Sequence, residues 1–149
     1  LTEIETRPLP LKWVWTYKVD QNGYFVKCKA RIVVRGDLQD MNTITTTYAA
    51  TLAARSFRLA MAIAAQFDLE VDQYDVVGAF LNAQVTAKNP IICDMPDGFK
   101  KAGFCVRLNR ALYGLRESPL LWYEELSGTL RKLSLISSAE EPCLFFTSD

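Results

Sequence analysis

Two runs of alternating side chains joined by Asn22-Gly23 constrain this chain more than any other feature. Between Trp13 and Val19, the residues Trp13, Trp15, Tyr17 and Val19 alternate with Val14, Thr16 and Lys18, which is the two-residue period of a strand. Asp20-Gln21-Asn22-Gly23 follows, and Asn-Gly signals a hairpin because both residues tolerate positive φ. The returning run, Tyr24 to Arg35, sets Val26, Cys28, Ala30, Ile32 and Val34 on one face. Lys27, Lys29, Arg31 and Arg35 fall on the other, interrupted only by Val33. The expectation is a two-stranded β-ribbon carrying a stripe of four cations. Taken alone, the stripe reads first as a solvated face that blocks edge pairing, and second as an anion-binding surface.

Charge is unevenly spread. Lys+Arg and Asp+Glu number 17 each, yet residues 1–60 hold nine cations against five carboxylates, and residues 61–149 hold eight against twelve. From Leu59 to Ala87 there are four carboxylates, Asp68, Glu70, Asp72 and Asp75, and no Lys or Arg. A basic lobe beside an acidic strand end suits a polyanion and its metal ions. Histidine is absent, which excludes Ser-His-Asp and Cys-His triads, His-ligated zinc and imidazole catalysis. With 149 residues, 50% of them apolar, the chain is read as one domain over residues 1–149 with a packed core. No apolar run approaches the roughly 20 residues of a membrane helix, and LTEIETRPLP lacks the pattern of a signal peptide. An intracellular location, cytoplasmic or nuclear, with no membrane partner, is therefore expected. Cys28, Cys93, Cys105 and Cys143 form no C-x-x-C pair and read as small buried apolar residues in a reducing compartment.

Further along, Ala53 to Phe67 has helical spacing and reads as a core-packing helix. Leu69 to Val77 alternates as a short strand in which Asp75 shares the parity of Leu69 and Val71. A carboxylate then ends an inward-facing row, where it is costly unless paired or metal-bound. The alternative is an Asp that caps the turn beginning at Val76. Short strands are expected at Ile91–Cys93 and Val106–Leu108, with a turn at Met95–Gly98. Ser118 as N-cap and Pro119 at the first helical position open a helix whose Trp122, Leu126, Leu130 and Leu133 share a face. Glu124 and Glu125 lie toward its start, and Arg131 and Lys132 in its last turn, matching the helix dipole. Cys143 to Thr147 reads as a final strand.

Five stretches, in this order and spacing, resemble the Ty1/copia type of retrotransposon reverse transcriptase. They are KCKARIVVRGDLQ (27–39), DQYDVVGAFLNAQV (72–85), MPDGF (95–99), RLNRALYGLRESPLLWY (107–123) and EEPCLF (140–145). The resemblance implies an α+β fold: a fingers β-ribbon plus a palm, an antiparallel sheet packed on helices. It implies RNA-directed DNA synthesis by two-metal nucleotidyl transfer, with Mg²⁺ as cofactor, an RNA or DNA template-primer and deoxynucleoside triphosphates as partners. On that likeness Asp75 is the first catalytic aspartate and a Mg²⁺ ligand, joined by the Val76 carbonyl. Phe80 stands where polymerases sense the 2′-hydroxyl. Lys29 and Arg31 meet the triphosphate, supported by Lys27 and Arg35. Gly114, Ser118 and Pro119 belong to the element that positions nucleotide and template.

In that family a hairpin bearing Tyr-x-Asp-Asp follows the counterpart of Cys143–Thr147. No Asp-Asp dipeptide occurs in this sequence, and Asp149 stands alone. These residues are therefore read as fingers and partial palm only, truncated before that hairpin and not catalytically competent as an isolated chain, because one aspartate cannot organise two Mg²⁺ ions. Asp37, where an aromatic is usual, and Ala83, where Gly often follows Asn, depart from the family pattern. Other readings are a non-catalytic nucleic-acid-binding module, a half-palm whose open sheet edge self-associates or docks on another palm fragment, and a retroelement remnant without selected function.

Overall fold

The computed structural model describes residues 7–41, 44, 46–86 and 90–147. The sequence alternation becomes a long ribbon: β1 (Leu11–Val19) pairs antiparallel with β2 (Phe25–Val34). Asp20 Oδ1 accepts the N–H groups of Asn22 and Tyr24, both at 2.9 Å, and Gly23 takes φ +84°, so the turn closes as its residues dictate. Val19 pairs with Phe25 and Lys18 with Lys27, so Val26 is the extra residue of a bulge near the tip. Directly opposed residues share a face, which puts Lys18, Lys27, Lys29 and Arg31 together, and Trp13, Trp15 and Tyr17 against Ile32, Ala30 and Cys28. The outer half of the ribbon is solvated on both faces: on one, Trp15 is 68% and Tyr17 74% exposed, and on the other Lys18 and Lys27 are exposed.

The core lies at the ribbon's root. Val34, Cys93 and Leu115 are buried, with Leu9, Leu11, Ile91, Val106, Leu108 and Leu112 packed around them. Two short strands, β3 (Ile92–Asp94) and β4 (Cys105–Arg107), form a second antiparallel pair. Leu9 docks beside β3, donating its N–H to Ile92 O and accepting from Asp94 N–H, both at 2.9 Å. The turn between β3 and β4 carries Gly98 at φ +88°. A third antiparallel pair, β5 (Ile136–Ser137) with β6 (Phe145–Phe146), follows the long helix. The final strand is thus two residues long, shorter than the Cys143–Thr147 run that its apolar content suggests. Asp149 lies outside the described residues.

Among the described residues three α-helices complete an α+β fold: α1 (Ala54–Gln66), α2 (Ala79–Asn82) and α3 (Ser118–Lys132). Two helical expectations need correction. No residue of α1 is buried, and Phe57, Leu59 and Ile63 are exposed, so α1 is not a core element among the described residues. Ser118 does not cap α3. Glu117 is the N-cap, and the buried Ser118 hydroxyl instead donates to Leu112 O at 2.7 Å, inside the first turn. The most buried positions of α3 are Ser118 and Ser127; of the expected apolar face, Leu126 and Leu133 are exposed. Arg131 and Lys132 do occupy the last turn, as the helix dipole favours.

The expected strand from Leu69 to Val77 is not formed. Residues 69–76 have no regular structure and no ladder partner among the described residues, so alternation there has nothing to bond to. The cysteines divide likewise: Cys93 is buried, Cys143 is half-buried, and Cys28 and Cys105 are exposed, against the expectation that all four sit in the core. Burial pushes the Cys93 thiol up to about 11, aided by the nearby Asp94 and Cys105. Above about pH 9 the unfolded chain releases a proton that the folded chain keeps, so stability falls with pH until the folded thiol ionises near 11. The urea midpoint is expected to drop across this interval in the native chain and to drop less in Cys93→Ala. Equal slopes would remove Cys93 as the cause.

Candidate nucleotide cleft

The cleft is built where ribbon meets loop. Trp13, Lys29, Ala30, Arg31 and Ile32 form one wall; Val77, Gly78, Leu81, Leu112 and Tyr113 form the other, around about 480 Å³. Backbone bonds fix the two walls at their base. Val34 N–H donates to Tyr113 O at 2.8 Å, joining the walls, and Arg35 N–H donates to Pro10 O at 2.9 Å, closing the ribbon's own root. At this crossing Gly36 and Gly114 leave no room for side chains. A Cβ on Gly36 would strike the Gly114 carbonyl, and one on Gly114 would strike Val34 O and Val33 Cγ1. Gly114 also takes φ +86°, the left-handed region where glycine is at ease.

The second wall turns on Gly78, whose φ of +61° ends the irregular stretch and starts α2. Phe80 in α2 lies tilted against Tyr113, ring centroids 4.8 Å apart. Ala83 is buried behind them, its carbonyl accepting Ala111 N–H at 3.0 Å, while Gln84 bridges Arg110. Arg110 Nη1 donates to Asn82 O at 2.7 Å, tying α2 to the same loop.

Of the residues singled out from sequence, Lys29 and Arg31 line the cleft directly, and Phe80 joins it through Tyr113. Gly114 and Ser118 set the loop beneath it, with Pro119 behind them in the first turn of α3. Lys27 sits further toward the ribbon tip and is exposed. Two positions differ from expectation. Arg35 does not reinforce the free basic face, because Asp37 holds its guanidinium: Nε to Oδ1 at 2.8 Å and Nη2 to Oδ2 at 2.7 Å. That bond lifts the pKa of Arg35 and lowers that of Asp37. Asp75 is exposed rather than inward-facing, and it does not cap the turn, since Gly78 is the N-cap of α2 and no side chain among the described residues caps that helix start. Val76 is exposed beside it. Trp13 and Tyr113 were not anticipated. A signal for Tyr113 exists in its place immediately before Gly114; Trp13 gives none beyond strand alternation.

The cations on the ribbon repel one another. Arg31 foremost, then burial, Lys18 and Lys27, hold the Lys29 ammonium below its ordinary pKa. A polyanion placed against this face would lessen that repulsion. Mg²⁺ does not fit these residues alone. Asp75 is a single exposed carboxylate, and among the described residues no three Asp, Glu, His or Cys side chains are grouped to hold a metal ion.

Residues 3–149 match the family described as reverse transcriptase (RNA-dependent DNA polymerase). The chain belongs to this family, in its Ty1/copia retrotransposon branch. It is 33% identical over 144 residues to the retrovirus-related Pol polyprotein from transposon TNT 1-94 of Nicotiana tabacum, covering 94% of this chain and 11% of that protein. It is 28% identical over 138 residues to the corresponding polyprotein from transposon RE1 of Arabidopsis thaliana, covering 90% and 9%. It is 30% identical over 105 residues to the truncated transposon Ty1-A Gag-Pol polyprotein of Saccharomyces cerevisiae, covering 70% and 9%. The chain thus spans about a tenth of the length of these relatives. No solved structure gives a significant match. No helix among the described residues is long and apolar enough to cross a membrane.

Proposed function

We propose that residues 1–149 act as one unit, the fingers and partial palm of a retrotransposon RNA-directed DNA polymerase, and that the cleft receives the incoming deoxynucleoside triphosphate. The observation that carries this reading is the cleft itself, which joins Lys29 and Arg31 of the ribbon to Val77–Leu81 and Tyr113. Two cations without an ion-pair partner among the described residues suit a triphosphate. Tyr113, backed by Phe80 at an interplanar angle of 59°, offers an aromatic surface to a sugar or base. Asp75, just before Val77–Leu81, is the one residue assigned to the reacting centre, as first of several carboxylates. Because Mg²⁺ does not fit these residues by themselves, no metal-dependent step is assigned to them, and the 149-residue chain alone is expected not to polymerise. A primer-extension assay with Mg²⁺ or Mn²⁺, with Asp75→Ala as control, tests this. Template-dependent synthesis by the native chain that the control lacks would show the site to be self-sufficient.

A second reading, nucleic-acid binding without turnover, is favoured by the row of Lys18, Lys27, Lys29 and Arg31 on one face of the ribbon. Binding of single-stranded RNA or DNA is then expected to weaken linearly with log salt. Lys29→Gln and Arg31→Gln should each reduce the slope by about 0.7. Arg35→Gln should leave it unchanged, because Asp37 already occupies that guanidinium. A fall in slope for Arg35→Gln equal to that for Lys29→Gln would show that Arg35 leaves Asp37 for phosphate.

A further inference from the structure

The backbone crossing at Gly36 and Gly114 is flanked by a set of side-chain bonds that the cleft's chemistry does not use. Arg116 Nε donates to Gly36 O at 2.6 Å. Gln39 Oε1 accepts the Arg116 backbone N–H at 3.4 Å, and Gln39 Nε2 donates to Glu117 Oε2 at 3.0 Å. These bonds join the 3₁₀ turn Gly36–Leu38, just past the end of β2, to the start of α3. Each spans about 80 residues of sequence, so neither partner is held there by local geometry. The Gly36–Arg116 and Gln39–Glu117 contacts are partly buried, where hydrogen bonds to charged groups are worth more than at a solvated surface.

Their location matters more than their strength. Lys29 and Arg31 ride on β2, whereas Leu112 and Tyr113 belong to the loop that feeds α3. The two walls of the cleft meet at the root, and a small rotation there is magnified along the ribbon. The β1 side of the root is held by Leu9 against β3 and by Trp13 Nε1, which donates to Asp97 O at 3.0 Å. On the β2 side the Val34–Tyr113 backbone bond ties ribbon to loop, and the Arg116 and Gln39 bonds add a further hold just beyond it. We propose that Arg116, with Gln39 and Glu117, is a latch that sets the angle of the ribbon over the cleft. Arg116 and Gln39 are thereby positioning residues for Lys29 and Arg31. The consequence for nucleotide rests on the reading of the cleft given above; the latch itself does not.

The test has two readouts. Nitroxide labels at Asn22 on the ribbon turn and Glu125 on α3, in a chain with Cys28, Cys105 and Cys143 replaced by Ser, report the ribbon angle as a distance distribution. Deoxynucleoside triphosphate binding to the unlabelled chain reports its effect on the cleft. Arg116→Ala and Gln39→Ala should each broaden the distribution while the chain stays folded, and should weaken binding on the order of 10-fold, since misplacement by about 1 Å is costly for oriented groups. Arg116→Lys, which keeps a donor for Gly36 O, should restore much of both. If Arg116→Ala does not fold, Gln39→Ala decides, as it removes only the two Gln39 bonds. An unchanged distribution in the folded variants overturns the latch. A native chain that binds no triphosphate overturns the nucleotide reading, and the distance distribution then still decides the latch.

Discussion

Gly114→Ala is expected to destabilise the fold by about 2–5 kcal/mol, from about 1–2 for a side chain in the left-handed region and about 1–3 for overpacking. The added methyl would meet Val33 Cγ1 at 2.5 Å and Val34 N at 3.1 Å, both at the root of the ribbon. Neither can retreat freely, because Val34 is buried and bonded to Tyr113. A chain of this size is typically stable by only about 5–15 kcal/mol, so the loss is a large part of the whole. Gly23→Ala is the matched control. Gly23 has nearly the same φ, +84° against +86°, with nothing within 4 Å of the added carbon, so it should cost only the conformational part. Chemical denaturation of both variants separates the two contributions. Equal losses would mean that the close approach of ribbon and loop contributes nothing.

The second large effect concerns Asp75. In a polymerase that carries these residues together with the remaining palm, Asp75→Asn should lower the extension rate on the order of 10³-fold, the equivalent of several kcal/mol of lost charge stabilisation. Folding should be untouched, because the side chain is exposed and caps nothing. Nucleic-acid affinity should not fall, since removing a carboxylate beside a polyanion does not weaken its binding. Single-turnover extension together with template-primer binding measures both. Retention of more than a tenth of the wild-type rate would move the catalytic role elsewhere.

What could be read from sequence follows the range of the interactions involved. The ribbon was legible because its alternation, its Asn-Gly turn and the Asp20 side chain that closes it are all local. The extent of α3 was legible for the same reason, from Pro119 at its start to Arg131 and Lys132 at its end. Its cap was not, because the hydroxyl of Ser118 has a competing acceptor in Leu112 O. Leu69–Val77 has the alternation of a strand without a partner to bond to, and with the ladder goes the inward orientation inferred for Asp75. Apolar spacing in α1 showed a helix but could not show whether anything covers it. Lys29 and Arg31 were found by charge pattern, whereas their meeting with Tyr113 depends on a backbone crossing that no spacing encodes. Arg35 shows the reverse: its partner is two residues away, and Asp37 is the residue that departs from the family pattern.

One contact has a bearing on how the chain assembles. Glu141 accepts the Ala53 N–H at 3.1 Å and the Ser56 hydroxyl at 3.0 Å, which supplies the N-terminus of α1 with the acceptor its own sequence lacks. Those bonds, the Ala53 N–H foremost, hold the Glu141 carboxyl below its usual pKa. Donor and acceptor are 88 and 85 residues apart, so closing this loop is entropically slow and waits on most of these 149 residues. During synthesis α1 therefore leaves the ribosome with its first turn frayed, and it becomes anchored only when the last motif of the segment has emerged.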